Sequence, residues 1–169
     1  MPNVELAQAV GLAVDNGIIL GHTLASSDPD IFAAGDCCSF THPLYGDRIR
    51  LEAWRNAQRQ HAVAAANMLG PNCTYDEVPW FWSDQYDQTL QIGGLYRKEH
   101  VEMRRNLGAK GQLFFYLAGD GCLTAACGLG SLGTIAKEIR IAEKMISSRL
   151  APEAEVLQDP AIDIKSLPI

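Results

Sequence analysis

No stretch of the 169 residues is long and apolar enough to fill the ~20 positions that a membrane-spanning helix needs. The first ten residues, MPNVELAQAV, lack the basic head and apolar core of a secretory signal. A soluble, cytoplasmic protein with no membrane partner is the expectation. The five cysteines (Cys37, Cys38, Cys73, Cys122 and Cys127) are odd in number and contain no C-x-x-C pair. That argues against a disulfide framework, a metal site and a dithiol redox centre, and for packing thiols in a reducing compartment. Positive charge is also scarce. A net charge of -6 is the wrong sign for a nucleic-acid surface. The deficit is uneven, with 9 acidic and 4 basic residues before Pro79 and 11 and 10 from Trp80 onward. The second half therefore holds most of the Lys and Arg available to an acidic partner. There is no internal repeat and no low-complexity tract.

What is present is a folded composition, 47% hydrophobic and 20% charged. Leu6, Ala9, Val10 and Ala13 fall at near-helical spacing, predicting a short helix or turn in Asn3 to Val14. Asp15-Asn16-Gly17 is a turn signal before a short strand, Ile18-Ile19-Leu20. Ser26 to Asp30 is a second turn, leading into Ile31-Phe32-Ala33-Ala34, which reads as a strand buried on both faces and ending at Gly35-Asp36. A helix from about Leu51 to Leu69 follows, with Ala53, Ala57, His61, Ala64 and Ala65 near one face, and Gly70-Pro71-Asn72 stops it. Beyond Pro79 five short β segments separated by glycine turns predict an antiparallel meander. Ser131 is placed to cap a last helix burying Ile135, Ile139, Ala142 and Ile146. Asp159 to Asp163 reads as a docked extended tail.

Two glycine-bearing motifs compete for a nucleotide. Gly128-Leu129-Gly130-Ser131-Leu132-Gly133 matches G-x-G-x-x-G between a predicted strand and a predicted helix. A dinucleotide fingerprint also needs a second parallel strand after that helix, and here a proline-containing tail follows. The motif therefore reads as a glycine-rich corner. Gly35-Asp36 offers an approachable backbone and a carboxylate able to accept hydrogen bonds from sugar-type hydroxyls. On chemistry alone, a ligand carboxylate and an ordinary turn-capping Asp are equally good readings.

The run from Ser26 to Asp36 resembles the second FAD motif of the pyridine nucleotide-disulfide oxidoreductase superfamily, T-x-x-x-x-[VIF]-[FY]-A-x-G-D, with Ser26 in place of Thr. Leu51-Glu52-Ala53-Trp54-Arg55-Asn56-Ala57-Gln58-Arg59-Gln60 is similar to the flavin-side helix start of oxygenase-coupled ferredoxin reductases and rubredoxin reductases. Pro79-Trp80-Phe81-Trp82-Ser83-Asp84-Gln85 resembles the opening of their C-terminal reductase domain.

The resemblance implies an α+β chain: residues 1–78 as the C-terminal segment of an FAD-binding α/β domain, and 79–169 as a C-terminal reductase domain resembling a dimerisation domain, with an antiparallel sheet and packed helices. It implies a flavoprotein passing electrons from NADH or NADPH through FAD to a ferredoxin or rubredoxin type carrier. FAD-binding residues would be Gly35, Asp36, Glu52, Ala53, Trp54 and Trp80, with no catalytic acid–base set and no metal. Packing remains the other reading for Trp54 and for one of the Trp80–Trp82 pair. Arg48, Arg50, Arg55, Arg97, Arg104 and Arg105 are candidates for docking an acidic carrier, and the four histidines read as surface or packing residues. The family's N-terminal G-x-G-x-x-G and its separate NAD domain have no counterpart here, so Met1 is expected to begin a fragment. The alternative, of another class, is a non-catalytic module that self-associates as a homodimer and binds no FAD on its own.

Overall fold

The computed structural model describes residues 1–167. The chain is α+β and divides into two compact units, one from Met1 to Glu77 and one from Val78 onward.

The first unit opens with the short helix α1, Glu5–Ala9, inside the stretch that the apolar spacing marks. Its N-terminus has no side-chain cap, and Gly11 turns the chain with φ +79°. Strand β1, Ile18–Leu20, pairs in parallel with β2, Cys38–Thr41, and β2 pairs antiparallel with β3, Arg48–Ile49. Leu20, Leu24, Cys38, Phe40, Ala64 and Tyr75 form the buried centre.

The expected buried strand at Ile31 to Ala34 does not form. Only Phe32 makes a bridge, to Ala25, and Ile31 is exposed. The turn before it consumes the local polar groups: Asp28 N–H donates to Ser26 Oγ, Asp30 N–H to Asp28 Oδ1, and Ser26 N–H to the Ile31 carbonyl. The ladder resumes only at Cys38, so Gly35-Asp36 precedes β2 instead of ending a strand.

Helix α2 runs Trp54–Met68 and buries Asn56, Gln60, Ala64 and Asn67; of the small-residue face read from the sequence, Ala64 is buried and Ala57 half-buried, while His61 and Ala65 are exposed. A polar stripe faces inward because irregular loops lie against the helix, and their buried backbone groups need partners. Asn67 Nδ2 donates to the carbonyls of Thr23 (2.7 Å) and Cys73 (2.8 Å), and its Oδ1 accepts from Cys73 N–H at 2.7 Å. Asn56 Nδ2 donates to the Leu51 carbonyl, and its Oδ1 accepts from Tyr75 Oη at 3.0 Å.

The second unit is a five-stranded antiparallel sheet of β4 (Trp80–Gln85), β5 (Gln88–Gly94), β6 (Val101–Asn106), β7 (Gly111–Leu117) and β8 (Leu123–Gly130). The spatial order β4-β5-β8-β7-β6 corrects the expected meander: β8 inserts between the hairpin β4-β5 and β7. Helix α3, Leu132–Ser147, covers one face with Ile135, Ile139, Ala142 and Ile146, as its spacing predicts. Ser131 stands at the N-cap position without capping; its Oγ turns to the Lys110 carbonyl. A short helix α4, Ala154–Gln158, and a 3-10 turn at Ile164–Ser166 complete the described chain.

Candidate functional site

The glycine fingerprint at residues 128–133 has a packing explanation. A Cβ on Gly128 would lie 2.8 Å from Ile135 Cγ2 and from Leu113 Cδ2, so its absence lets α3 rest on the sheet. Gly130 has φ +154°, and a Cβ there would lie 2.2 Å from the Lys110 carbonyl oxygen. Gly128 and Gly130 lie within an antiparallel strand, with none of the βαβ geometry of a dinucleotide fold.

Gly35-Asp36 is built differently. Gly35 is buried in the left-handed region at φ +94°, where an L side chain is strained. Its carbonyl accepts from Cys38 N–H at 3.1 Å and its N–H donates to Gln60 Oε1 at 2.8 Å. A Cβ at Gly35 would stand 3.7 Å from Ala57 Cβ, so the turn packs directly on α2. Asp36 is exposed beside it, and its own carbonyl accepts from Arg50 Nη1 at 3.1 Å.

The start of α2 carries the other predicted residues of this unit. Ala53 is the N-cap, extended at φ -143° and ψ 135°, and supplies no side-chain hydrogen bond to the first turn. That turn contains no acidic residue to offset the positive end of the helix. Glu52 precedes the cap, exposed and ion-paired with Arg50; that hydrogen bond and charge hold its carboxyl below the usual range. Trp54 is the first helical residue and is 65% exposed, which argues against the packing reading. The unit thus brings together a carboxylate on a pinned glycine turn and an uncapped helix start, joined through α2 and Arg50.

These groups fit a dinucleotide-type cofactor with a flavin ring. The Asp36 carboxylate suits polyol hydroxyls, and the α2 N-terminus, which no side chain caps, suits an electron-rich ring edge. Gly35, Asp36, Glu52, Ala53 and Trp54, the FAD residues that the resemblance implies for this unit, lie on these two elements.

Cys37 and Cys38 adjoin this turn with sulfurs 3.9 Å apart, and burial pushes the Cys38 thiol far up, the setting of an inert packing group. All five cysteines are free, and no cluster able to hold a metal occurs among the described residues.

Trp80 belongs to the second unit, on the edge strand β4. It is partly buried and stacks on Trp82, ring centroids 5.0 Å apart and planes 20° apart. Trp82 is 38% exposed, so the pair forms a surface aromatic ledge and neither ring is a core residue.

The arginines separate sharply. Arg105 is 3% exposed and donates to backbone carbonyls of the tail, so it cannot meet a partner, which corrects its reading as a docking residue. Arg48 is an exposed residue, but its Nη1 donates to the Leu20 and Ser39 carbonyls. Missed entirely was an open groove of the second unit lined by Lys137, Arg140, Ile141, Lys144 and Lys165. Residues 137, 140, 141 and 144 follow the i, i+3, i+4, i+7 spacing of one helix face, which is a legible signal for a continuous basic stripe. Gln60 was also missed, because a polar residue inside a helix reads as solvent-facing unless the loop it serves is known.

The pyridine nucleotide-disulphide oxidoreductase model matches residues 1–61, and the reductase C-terminal model matches residues 80–168. The chain is 41% identical over 167 residues to the ferredoxin–NAD(+) reductase component of the anthranilate 1,2-dioxygenase system of Burkholderia cepacia, covering 98% of this chain and 40% of that one. It is 35% identical over 170 residues to putidaredoxin reductase of Pseudomonas putida, covering 99% and 39%. Among solved structures, the ferredoxin reductase for the CYP199A2 system of Rhodopseudomonas palustris superposes with a TM-score of 0.87 at 34% identity, covering 97% of this chain and 40% of that one. The putidaredoxin reductase in its covalent complex with putidaredoxin gives 0.84 at 35% identity, covering 97% and 38%. The chain thus spans about 40% of the length of the curated relatives it matches.

Proposed function

Because the chain belongs to the reductase C-terminal family, we propose that it is the C-terminal part of a flavoprotein that moves electrons from NADH or NADPH through FAD to a ferredoxin or rubredoxin type carrier. In this reading residues 1–78 are the last segment of the FAD-binding domain and 79–169 the reductase C-terminal domain. A bound flavin would supply the exchange between a two-electron nicotinamide and a one-electron carrier. The chain's own residues bind and orient. Asp36 accepts hydrogen bonds from the cofactor's hydroxyls, and the amides at Ala53 and Trp54 face the electron-rich ring edge, where the helix end favours negative charge. Trp80 enters the proposal through its motif and its partly open aromatic face. The carrier is acidic and meets the groove of Lys137, Arg140, Lys144 and Lys165, which carries positive charge on a chain of net charge -6. The five free thiols suit a reducing cytoplasm, and no described helix is long and apolar enough to cross a membrane.

The observation that carries the reading is the Gly35-Asp36 turn pinned to a helix whose start is uncapped. Titrating the purified chain with FAD tests it. The expected result is a visible flavin band retained through gel filtration and lost in Asp36→Ala. A colourless protein after FAD addition would sink the claim for this chain.

A second reading is favoured by one feature. On the sheet face opposite α3, Phe81 and Leu129 are 46% and 51% exposed, and Ile92 and Cys127 are only partly covered. A non-catalytic module would cover that face with a second copy of itself. Sedimentation equilibrium separates the cases: a dimer broken by Phe81→Lys, without flavin uptake, would support this reading.

A further inference from the structure

Gln60 has no exposed surface at all, and it sits 25 residues from the glycine it serves. Its Oε1 takes the Gly35 N–H at 2.8 Å, while its Nε2 is buried without a hydrogen-bond partner among the described residues. A methionine or leucine would fill the same volume without stranding a donor. An amide here is costly by itself, so its value lies in the acceptor that it presents. The Gly35 amide, buried at φ +94°, is the group that needs that acceptor.

The consequences reach Asp36. Gly35 is fixed at both backbone polar groups, its N–H by Gln60 on α2 and its carbonyl by Cys38 on β2. Asp36 is fixed at its carbonyl by Arg50. The carboxylate therefore rises from a backbone held by three contacts, and one of these anchors is the helix whose N-terminus forms the other half of the site. Ala57, one turn before Gln60, leaves the room that brings the turn and the helix together.

We propose that Gln60 is a positioning residue: by holding the Gly35 amide it locks the Asp36 carboxylate in register with the start of α2, so that both reach one FAD molecule. This rests on the FAD reading given above. Gln60 touches no cofactor in this account and acts through Gly35.

The test uses the full chain and two variants, read by amide exchange in NMR and by FAD titration. Gln60→Met keeps the shape and removes the acceptor, and Gln60→Glu keeps an acceptor. In the wild type the Gly35 amide exchanges slowly. In Gln60→Met it exchanges on the order of tenfold or more faster, while the amides of α2 are unchanged, and FAD dissociates at roughly tenfold higher concentration. Gln60→Glu recovers the Gly35 protection. A purely packing role would leave Gln60→Met indistinguishable from wild type in both measurements, and that result would overturn the proposal. If Gln60→Met does not fold, the wild-type chain still decides, because a Gly35 amide exchanging like an open loop would overturn it. A wild-type chain that protects Gly35 yet takes up no FAD removes the FAD reading and the cofactor role of Gln60 with it. FAD uptake undiminished in Gln60→Met removes the Gln60 role alone.

Discussion

The Arg105 guanidinium donates through Nη1 to the Asp159 carbonyl at 2.7 Å, from near the end of β6 to the residue that caps the C-terminus of α4. Nη1 also reaches the carbonyls of Val156 and Leu157, and Nη2 that of Ile162. A buried cation is tolerable here because the last carbonyls of α4 are unpaired within the helix and carry its negative end. Arg105→Met leaves those carbonyls without their donor. Unfolding in urea should show a loss of about 3 kcal/mol, with protease cleavage newly appearing between residues 150 and 163. Arg105→Lys should recover little, since a point-charge ammonium cannot reproduce the fork. A stability loss under 1 kcal/mol (roughly that of an exposed pair) would contradict the role of the clamp.

The three glycines of the false fingerprint make a graded prediction. A Cβ at Gly130 meets backbone on the adjoining strand, a Cβ at Gly128 meets the tips of two buried side chains, and one at Gly133 meets nothing within 4 Å. Gly133 lies in the first turn of α3, where alanine is the better helix former by roughly 0.5–1 kcal/mol. Gly133→Ala should therefore raise the melting temperature, Gly128→Ala should cost about 1–3 kcal/mol by overpacking, and Gly130→Ala should cost more. A pyrophosphate-binding loop would give a different signature, in which adding a dinucleotide stabilises the wild type and not Gly128→Ala. Thermal scans of the set, with and without NADH, distinguish the two.

How far the sequence could be read follows from which forces are local. The helix α3 stripe of Ile135, Ile139, Ala142 and Ile146 was legible because apolar periodicity and burial are the same fact. The five β segments were legible too, but not their order, because nothing local tells β8 to seat beside β5. The Ile31 to Ala34 segment misled through its composition. Ile31 N–H turns back to the Asp28 carbonyl, and the Ile31 carbonyl and Ala33 N–H pair only with Ser26 and Leu24, which leaves one isolated bridge instead of a ladder. Gly35 and Asp36 stood out as a motif, but the inward polar stripe of Asn56, Gln60 and Asn67 did not, since each serves a loop distant in sequence.

His42 makes stability depend on pH. The ring is fully buried; Nδ1 accepts from Leu44 N–H at 3.2 Å, so Nε2 carries the proton it donates to the Glu77 carbonyl at 2.9 Å. This is the neutral tautomer, and burial pushes its pKa below the ordinary imidazole value. Between the folded and unfolded values the unfolded chain binds more protons, so stability falls as pH drops. The loss begins near the unfolded value of about 6.5, has a limiting slope of roughly 1.4 kcal/mol per pH unit, and levels off below the folded value. Urea midpoints at pH 7.5, 6.5 and 5.5 should show the decline in the wild type. In His42→Gln the decline should be largely absent, although the starting stability is lower. Equal slopes in the two proteins would assign the pH dependence elsewhere.

The basic groove makes the last prediction, and it concerns rate and salt more than raw affinity. Lys137, Arg140 and Lys144 line one side of α3 and Lys165 comes from the 3-10 turn beside it. Exposed single pairs are worth at most about 1 kcal/mol, so removing one lysine should change little. Their common sign makes the four act together as a field over the groove, and a field of that kind steers an acidic partner on approach. Reversing two charges, Lys137→Glu with Lys144→Glu, should therefore slow association with an acidic ferredoxin by on the order of tenfold at low salt. The difference should shrink as ionic strength passes ~0.15 M, where the Debye length is about 8 Å. The dissociation rate should move much less. Stopped-flow or surface-based binding across a salt series measures both rates. A double variant that associates as fast as wild type at low salt would leave the groove as an ordinary solvated surface and send the search for the carrier face to Arg97 and Arg104.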